Sequence, residues 1–230
     1  MEHKKFELSP SVSIIIAGVI IAASIVFVNH GTATKANTGV AQGAVPTSAK
    51  LDIRIPTDKE HIVGSASAPI VLVEYSDFQC PFCSIIYPTL KKIVLGSHGR
   101  IAWVMRELPL TTIHPQAEPA AEAAECIAGL LGGDAYWKYT DAIFANQPKL
   151  SPEYSEQLAV SFGANASAYE KCVSTKQYQS LIDADANEAA SSGGNGTPFT
   201  VIVNTKTGKM LPISGALPEA QIIKAISSVE

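Results

Sequence analysis

Cys80-Pro81-Phe82-Cys83 is the segment of this chain with the clearest chemistry. Two thiols separated by two residues can close an intramolecular disulfide or hold one sulfur ready to attack another. An apolar run, residues 69–76, precedes the pair, and a run of helical pattern, 84–95, follows it. The first sulfur therefore falls where a strand gives way to a helix. A helix start presents unpaired N–H groups and a partial positive charge, which favour the thiolate of Cys80 over its thiol. Pro81 fits the first turn, where no N–H is required. The residue types leave two other readings open, an inert structural disulfide and half of a zinc site. The zinc reading needs a second ligand pair at similar spacing, and Cys126 and Cys172 stand singly with no histidine beside either.

The elements that must hold this pair follow from the rest of the chain. Its 230 residues are 47% hydrophobic, with a formal net charge of −4. That length suits one domain of moderate size with an N-terminal appendage. The weakly acidic balance and the lack of a basic stripe argue against nucleic acid as a partner. The appendage holds an uncharged apolar run of 17 residues, Val12 to Val28, preceded by Lys4 and Lys5. This is the short end of a bilayer-spanning helix, longer than a secretory signal core, and no A-x-A site follows it. An uncleaved single-pass signal-anchor in the cell membrane is expected, with residues 1–11 cytoplasmic. The domain then lies outside that membrane, where disulfides persist. Residues 29–50 read as a flexible polar tether with a reach of roughly 25 Å.

From Leu51 the chain alternates strand and helix patterns. Leu51 to Ile55 is expected as a short edge strand, Ile70 to Ser76 as a buried strand, and Pro81 to Leu95 as a helix kinked at Pro88. Arg100 to Arg106 supplies a second strand, parallel to the first across a crossover helix. Helical patterns fill about 115–192: Ala120 to Leu131, Asp134 to Asn146, a helix opened by Ser151-Pro152, Ala166 to Val173, and Thr175 to Ser191. Thr200 to Val203 and Lys209 to Ser214 flank a turn and read as a hairpin, and Pro218 to Val229 closes the chain as an amphipathic helix. The order β-α-β, helices, β-β-α is that of an α/β thioredoxin fold, a central mixed sheet flanked by helices, with a helical insertion between its halves.

Residues 73–83 (VEYSDFQCPFC), Pro109-Leu110, His114-Pro115 and Gly196-Thr197-Pro198 closely resemble the DsbA-like thiol–disulfide oxidoreductases. The resemblance covers about Ile62 to the C-terminus, so domain 51–230 is expected to be DsbA-like. It implies that Cys80 exchanges with the substrate and Cys83 resolves the mixed disulfide, while Pro81 and Phe82 tune the pair. It implies a cis Thr197-Pro198 bond packed against the redox pair, with the backbone beside it free to bond an extended substrate. Glu74, an acid in an otherwise apolar strand, matches the position of a proton-relaying carboxylate in related proteins. By strand alternation alone its side of the sheet stays open. Cys126 and Cys172 match a second, structural disulfide found in some members. Closing about 46 residues would stabilise by roughly 4 kcal/mol.

The activity implied is that of a membrane-anchored oxidase donating the Cys80–Cys83 disulfide to secreted proteins. Its partners would be unfolded or reduced secreted proteins and a membrane redox partner, a quinone-linked reoxidant or an electron donor. A monomer with no cofactor and no metal is expected. A reductase or isomerase kept reduced, and a tethered peptide-binding chaperone, are the alternatives. His114 is read as a capping or packing residue. Phe78, Phe82, Tyr87 and Phe199 are read as an apolar collar for unfolded substrates or as core.

Overall fold

The computed structural model describes residues 51–230 apart from 52, 58 and 59. The expected N-terminus, anchor and tether, 1–11, 12–28 and 29–50, lie outside the described residues. Among the described residues no helix is long and apolar enough to cross a membrane.

Five strands form one sheet in the order β1-β3-β2-β4-β5. They are β1 (Ile62–Val63), β2 (Ile70–Ser76), β3 (Ile101–Glu107), β4 (Phe199–Asn204) and β5 (Met210–Ser214). β2 and β3 run parallel with Ile70 opposite Ile101, whereas β2 and β4 run antiparallel with Glu74 opposite Thr200. All residues of β2, β3 and β4 are buried, as near-continuous apolar runs in a sheet covered on both faces require. The parallel connection is α1 (Pro81–Gly96), which runs through Pro88 as one continuous helix.

Between β3 and β4 lie α2 (Ala117–Leu131), α3 (Gly133–Ala145), a 3₁₀ turn (Gln147–Lys149), α4 (Pro152–Ser161), α5 (Ala166–Ser174) and α6 (Gln179–Ser191). The helix α7 (Glu219–Val229) closes the chain. One core face joins α1, α2, α3 and α7 to Ile70, Leu72, Trp103 and Met105. The opposite face packs Ala189 of α6 and Ile53 on Val71, Val73 and Tyr75.

Three expectations are corrected. The edge strand expected at Leu51 to Ile55 is not formed by its described residues: the Arg54 N–H donates to the Glu188 carboxylate at 2.8 Å and its carbonyl accepts from Arg106 at 3.0 Å. Its backbone is thus satisfied by side chains, and Ile62–Val63 takes the edge of β3 instead. The helix expected from Ala120 starts at Ala117, because Pro119 falls in the first turn where its missing N–H is not needed. The helix expected from Thr175 starts at Gln179, since Lys176 is left-handed (φ 48°) and Glu122 accepts the Tyr178 N–H.

Candidate active site

β2 delivers the chain to the site, and a turn held by Asp77 sets the start of α1. The buried Asp77 accepts the Gln79 N–H at 2.7 Å through Oδ1, and through Oδ2 the Leu110 N–H at 2.9 Å. His114 Nδ1 lies 2.8 Å from the same Oδ2. That ties the redox turn to the 108–116 loop, with His114 held by a polar contact to Asp77. The Cys80 N–H donates to the Asp77 carbonyl at 3.0 Å. From the helical insertion, Gln147 Nε2 donates to the carbonyls of Phe78 at 3.0 Å and Cys80 at 2.8 Å.

Cys80 is the N-cap residue of α1, with extended backbone and Pro81 behind it. Both redox cysteines are free thiols, and Cys80 is less open than a helix end implies, 3% exposed. Its Sγ lies 3.5 Å from the Thr197 carbonyl, so the 197–198 segment covers it. Thr197-Pro198 is a cis peptide. The Cys80 thiol is pulled down to about 5, first by the Cys83 S–H, against the opposing effect of burial, then by Thr197 and the N–H groups of Cys83 and Phe82. With the proton lost, the carbonyl contact gives no help. The Thr197 hydroxyl, buried with no hydrogen-bond partner among the described residues, is the group placed to donate to the thiolate. Cys83 goes the other way: burial pushes its thiol well above the ordinary value, and Cys80 and the charge on Glu74 add to the rise.

Glu74 lies on the cysteine side of the sheet, since alternation puts it with Leu72, which shares a core with Cys80 and Cys83. Both of its carboxyl oxygens are buried without a hydrogen-bond partner among the described residues, and so are Ser76 Oγ and Trp103 Nε1. Burial raises the acid to about 7, with Ser76 and Trp103 near enough to check the rise.

The remaining expected residues divide. Cys126 and Cys172 form a disulfide, with Cα atoms 5.9 Å apart, that links α2 to α5. Their sulfurs are therefore not a second thiolate pair for a metal. Of the expected collar only Phe82 is exposed, at 58%, because Phe78, Tyr87 and Phe199 are core. Sequence reasoning missed Ile85, 60% exposed one turn after Phe82, and Ile113, 67% exposed on the loop that Asp77 holds. It also missed Asp77 and Gln147, whose partners lie up to 69 residues away. An aspartate three residues before a helix N-cap was the one available signal.

A family model described as thioredoxin matches residues 56–214. Pseudomonas aeruginosa DsbA2 superposes with a TM-score of 0.65 at 29% identity, covering 77% of this chain and 97% of that one. Wolbachia pipientis alpha-DsbA1 superposes at 0.64 with 19% identity over 76% of this chain and 92% of its own, a likeness of fold. Among curated proteins, Na(+)/H(+) antiporter NhaA 3 of Salinispora tropica is 32% identical over 67% of this chain and 23% of its own length. Na(+)/H(+) antiporter NhaA 1 of Mycolicibacterium gilvum is 30% identical over 91% and 33%. The chain thus spans about a quarter to a third of the curated relatives it matches.

Proposed function

This chain belongs to the thioredoxin family as a DsbA-like thiol–disulfide oxidoreductase, and from that premise we propose that it is a membrane-anchored oxidase of secreted proteins. The observation that carries the direction is the split between its thiols. Cys80 is drawn down to about 5 while Cys83 is pushed up. A stabilised thiolate favours the reduced form of the pair, and a pair stabilised when reduced is an oxidant when its disulfide is closed.

The reaction balances on four sulfurs. A client thiolate attacks Cys80 Sγ, the Cys80–Cys83 bond breaks, and Cys83 leaves as a thiolate. Its high proton affinity demands a nearby acid, and Glu74, raised to about 7, is the proton donor in this reading. A second client thiolate then attacks the client sulfur of the mixed disulfide and expels Cys80, the better leaving group because its proton affinity is low. Two electrons pass from the client to the Cys80/Cys83 pair. The Thr197 backbone, beside Cys80, bonds the extended client by strand addition, and Phe82, Ile85 and Ile113 offer it apolar surface.

A membrane partner, quinone-linked, reoxidises the pair, and the enzyme works as a monomer without cofactor or metal. The apolar run at 12–28 supports anchorage in the cell membrane, with residues 1–11 cytoplasmic and the catalytic domain outside. Relatives named for a membrane antiporter are in keeping with work at a membrane; the ion transport in their names stays with them.

The test is the reduction potential of Cys80–Cys83 together with the redox state of these thiols in cells. A potential nearer about −120 mV than about −270 mV, with the pair oxidised in vivo, is expected. Thiols held reduced in cells would overturn the oxidase and leave the reductase or isomerase. A Cys80 inert toward alkylating reagent at neutral pH would leave only peptide binding.

A further inference from the structure

A concavity lies in the helical insertion, a cleft of roughly 300 Å³ between α2, α4, α5, the turn after α5 and the start of α6. None of Cys80, Cys83, Thr197 and Pro198 lines it. Five carboxylates do, Glu118, Glu122, Glu153, Glu156 and Glu170, against one cation, Lys176, which is paired with Glu118. An acidic rim of this kind is ordinarily a solvated surface. The floor is different.

Glu122 is only 4% exposed, and its Oε1 accepts the Tyr178 N–H at 2.8 Å. Its Oε2 is buried with no hydrogen-bond partner among the described residues, and so is Oε1 of Gln179 in the same lining. Buried acceptors are almost always paired, so two of them unpaired on one cleft call for a donor from outside the chain. Burial also pushes the Glu122 carboxyl up from its ordinary value, against the opposing effects of the Tyr178 N–H and the Lys176 charge. Above this floor the walls are apolar, built by Pro119, Pro152, Tyr169 and Val173.

We infer that this cleft is a receptor for a primary alkylammonium group, its stem against the apolar walls and its N–H donors on Glu122 Oε2 and Gln179 Oε1. The stem of such a cation buries readily along apolar surface while its head keeps three donors. A guanidinium suits the floor less well, because its fork wants both oxygens of a carboxylate and one is committed to Tyr178. A calcium ion wants about six to eight oxygens gathered at one point, and the floor, where the two unpaired acceptors sit, offers fewer than that. The Cys126–Cys172 bond joins the helix carrying Glu122 to the helix carrying Tyr169 and Val173, and so sets the width of the cleft. The same chemistry comes from two sources, a lysine side chain of a polypeptide or a free aliphatic diamine.

Calorimetric titration of the full chain, both cysteine pairs oxidised, tests the assignment with four probes. N-acetyl-lysine amide and 1,5-diaminopentane carry the ammonium, N-acetyl-norleucine amide is the neutral shape, and calcium is the simple ion. Saturable binding of an ammonium probe and none of the norleucine amide is expected; whichever ammonium probe binds tighter identifies the source. Glu122→Gln keeps an acceptor for Tyr178 and should weaken binding at least tenfold. Glu156→Gln with Glu170→Gln, both on the exposed rim where folding is not at issue, should weaken it severalfold. Norleucine amide binding as well as the lysine derivative, calcium binding in place of the amines, or affinity unchanged in both variants would overturn the site.

Discussion

The two cysteine pairs use the same atoms for opposite ends, and their surroundings account for the difference. Cys126 and Cys172 are 46 residues apart and lie within helices, closed into a bond that staples α2 to α5. Cys80 and Cys83 span one turn at a helix start, where N–H groups and a neighbouring S–H converge on a single sulfur. A long closed loop restrains the unfolded chain strongly, a four-residue loop only about half as much. A cysteine inside a helix has no free N–H groups to hold a thiolate, whereas one at the N-cap has several. Stability thus belongs to one pair and reactivity to the other.

The comparison breaks if the roles prove exchangeable. Replacing Cys126 and Cys172 together by Ala should lower unfolding free energy by roughly 4 kcal/mol. Thiol exchange by the molecules that remain folded should stay within about twofold, because neither sulfur touches the redox turn. Cys80→Ser should do the reverse, abolishing exchange with a dithiol peptide and leaving the denaturation midpoint nearly unmoved. Denaturant titration and exchange kinetics on both variants decide it. Exchange surviving Cys80→Ser would move the reactive sulfur elsewhere.

The reactive pair can be sharpened through the acid beneath it. A rise of Glu74 from 4.5 to about 7 means that the folded chain resists ionising it. Below pH 4.5 the carboxyl is neutral folded and unfolded, and no penalty exists. As pH climbs from 4.5 to 7 the unfolded chain loses its proton first, so wild-type stability falls by about 3 kcal/mol at about 1.4 kcal/mol per unit. Glu74→Gln has no such proton, and its stability relative to wild type should climb by that amount across the same window. The variant should also lower the Cys83 proton affinity, since the Glu74 charge raises it. Parallel stability curves for the two proteins between pH 4 and 8 would mean that Glu74 is solvated.

How far this was legible in the residues depended on the range of the forces involved. Period and punctuation gave the order of the central strands and helices along the chain and the helical insertion, because burial on both faces of β2 and β3 demands continuous apolar runs. The segment 51–55 misled: its alternation imitates a strand, but its hydrogen bonds go to Glu188 and Arg106, more than 50 residues away. Cys80 and Cys83 came from their spacing, and the cis Thr197-Pro198 bond from the family resemblance. Asp77 and Gln147 did not, since an Asp in a turn and a Gln after a helix look ordinary until folding brings their partners to them. Collar residues failed for a related reason, as ring type does not say which face a side chain takes.

Gln147 marks where the two regions meet, and removing it should have the smallest effect. Its amide donates to Phe78 and Cys80, so the insertion stapled by the structural disulfide also grips the redox turn. Each neutral hydrogen bond contributes about 1 kcal/mol net, so Gln147→Ala should cost about 1–2 kcal/mol of stability. It should slow exchange modestly by loosening the Cys80 backbone, with little change in thiolate affinity because no charge has moved. Gln147→Glu removes the same donors and sets a carboxylate beside the turn. Like charge disfavours a thiolate, so the ultraviolet thiolate titration of Cys80, expected at about 5 in the wild type, should shift upward in this variant and not in Gln147→Ala. Equal midpoints in the two variants would mean that Gln147 is remote from the sulfur in electrostatic terms, and would confine it to holding the backbone.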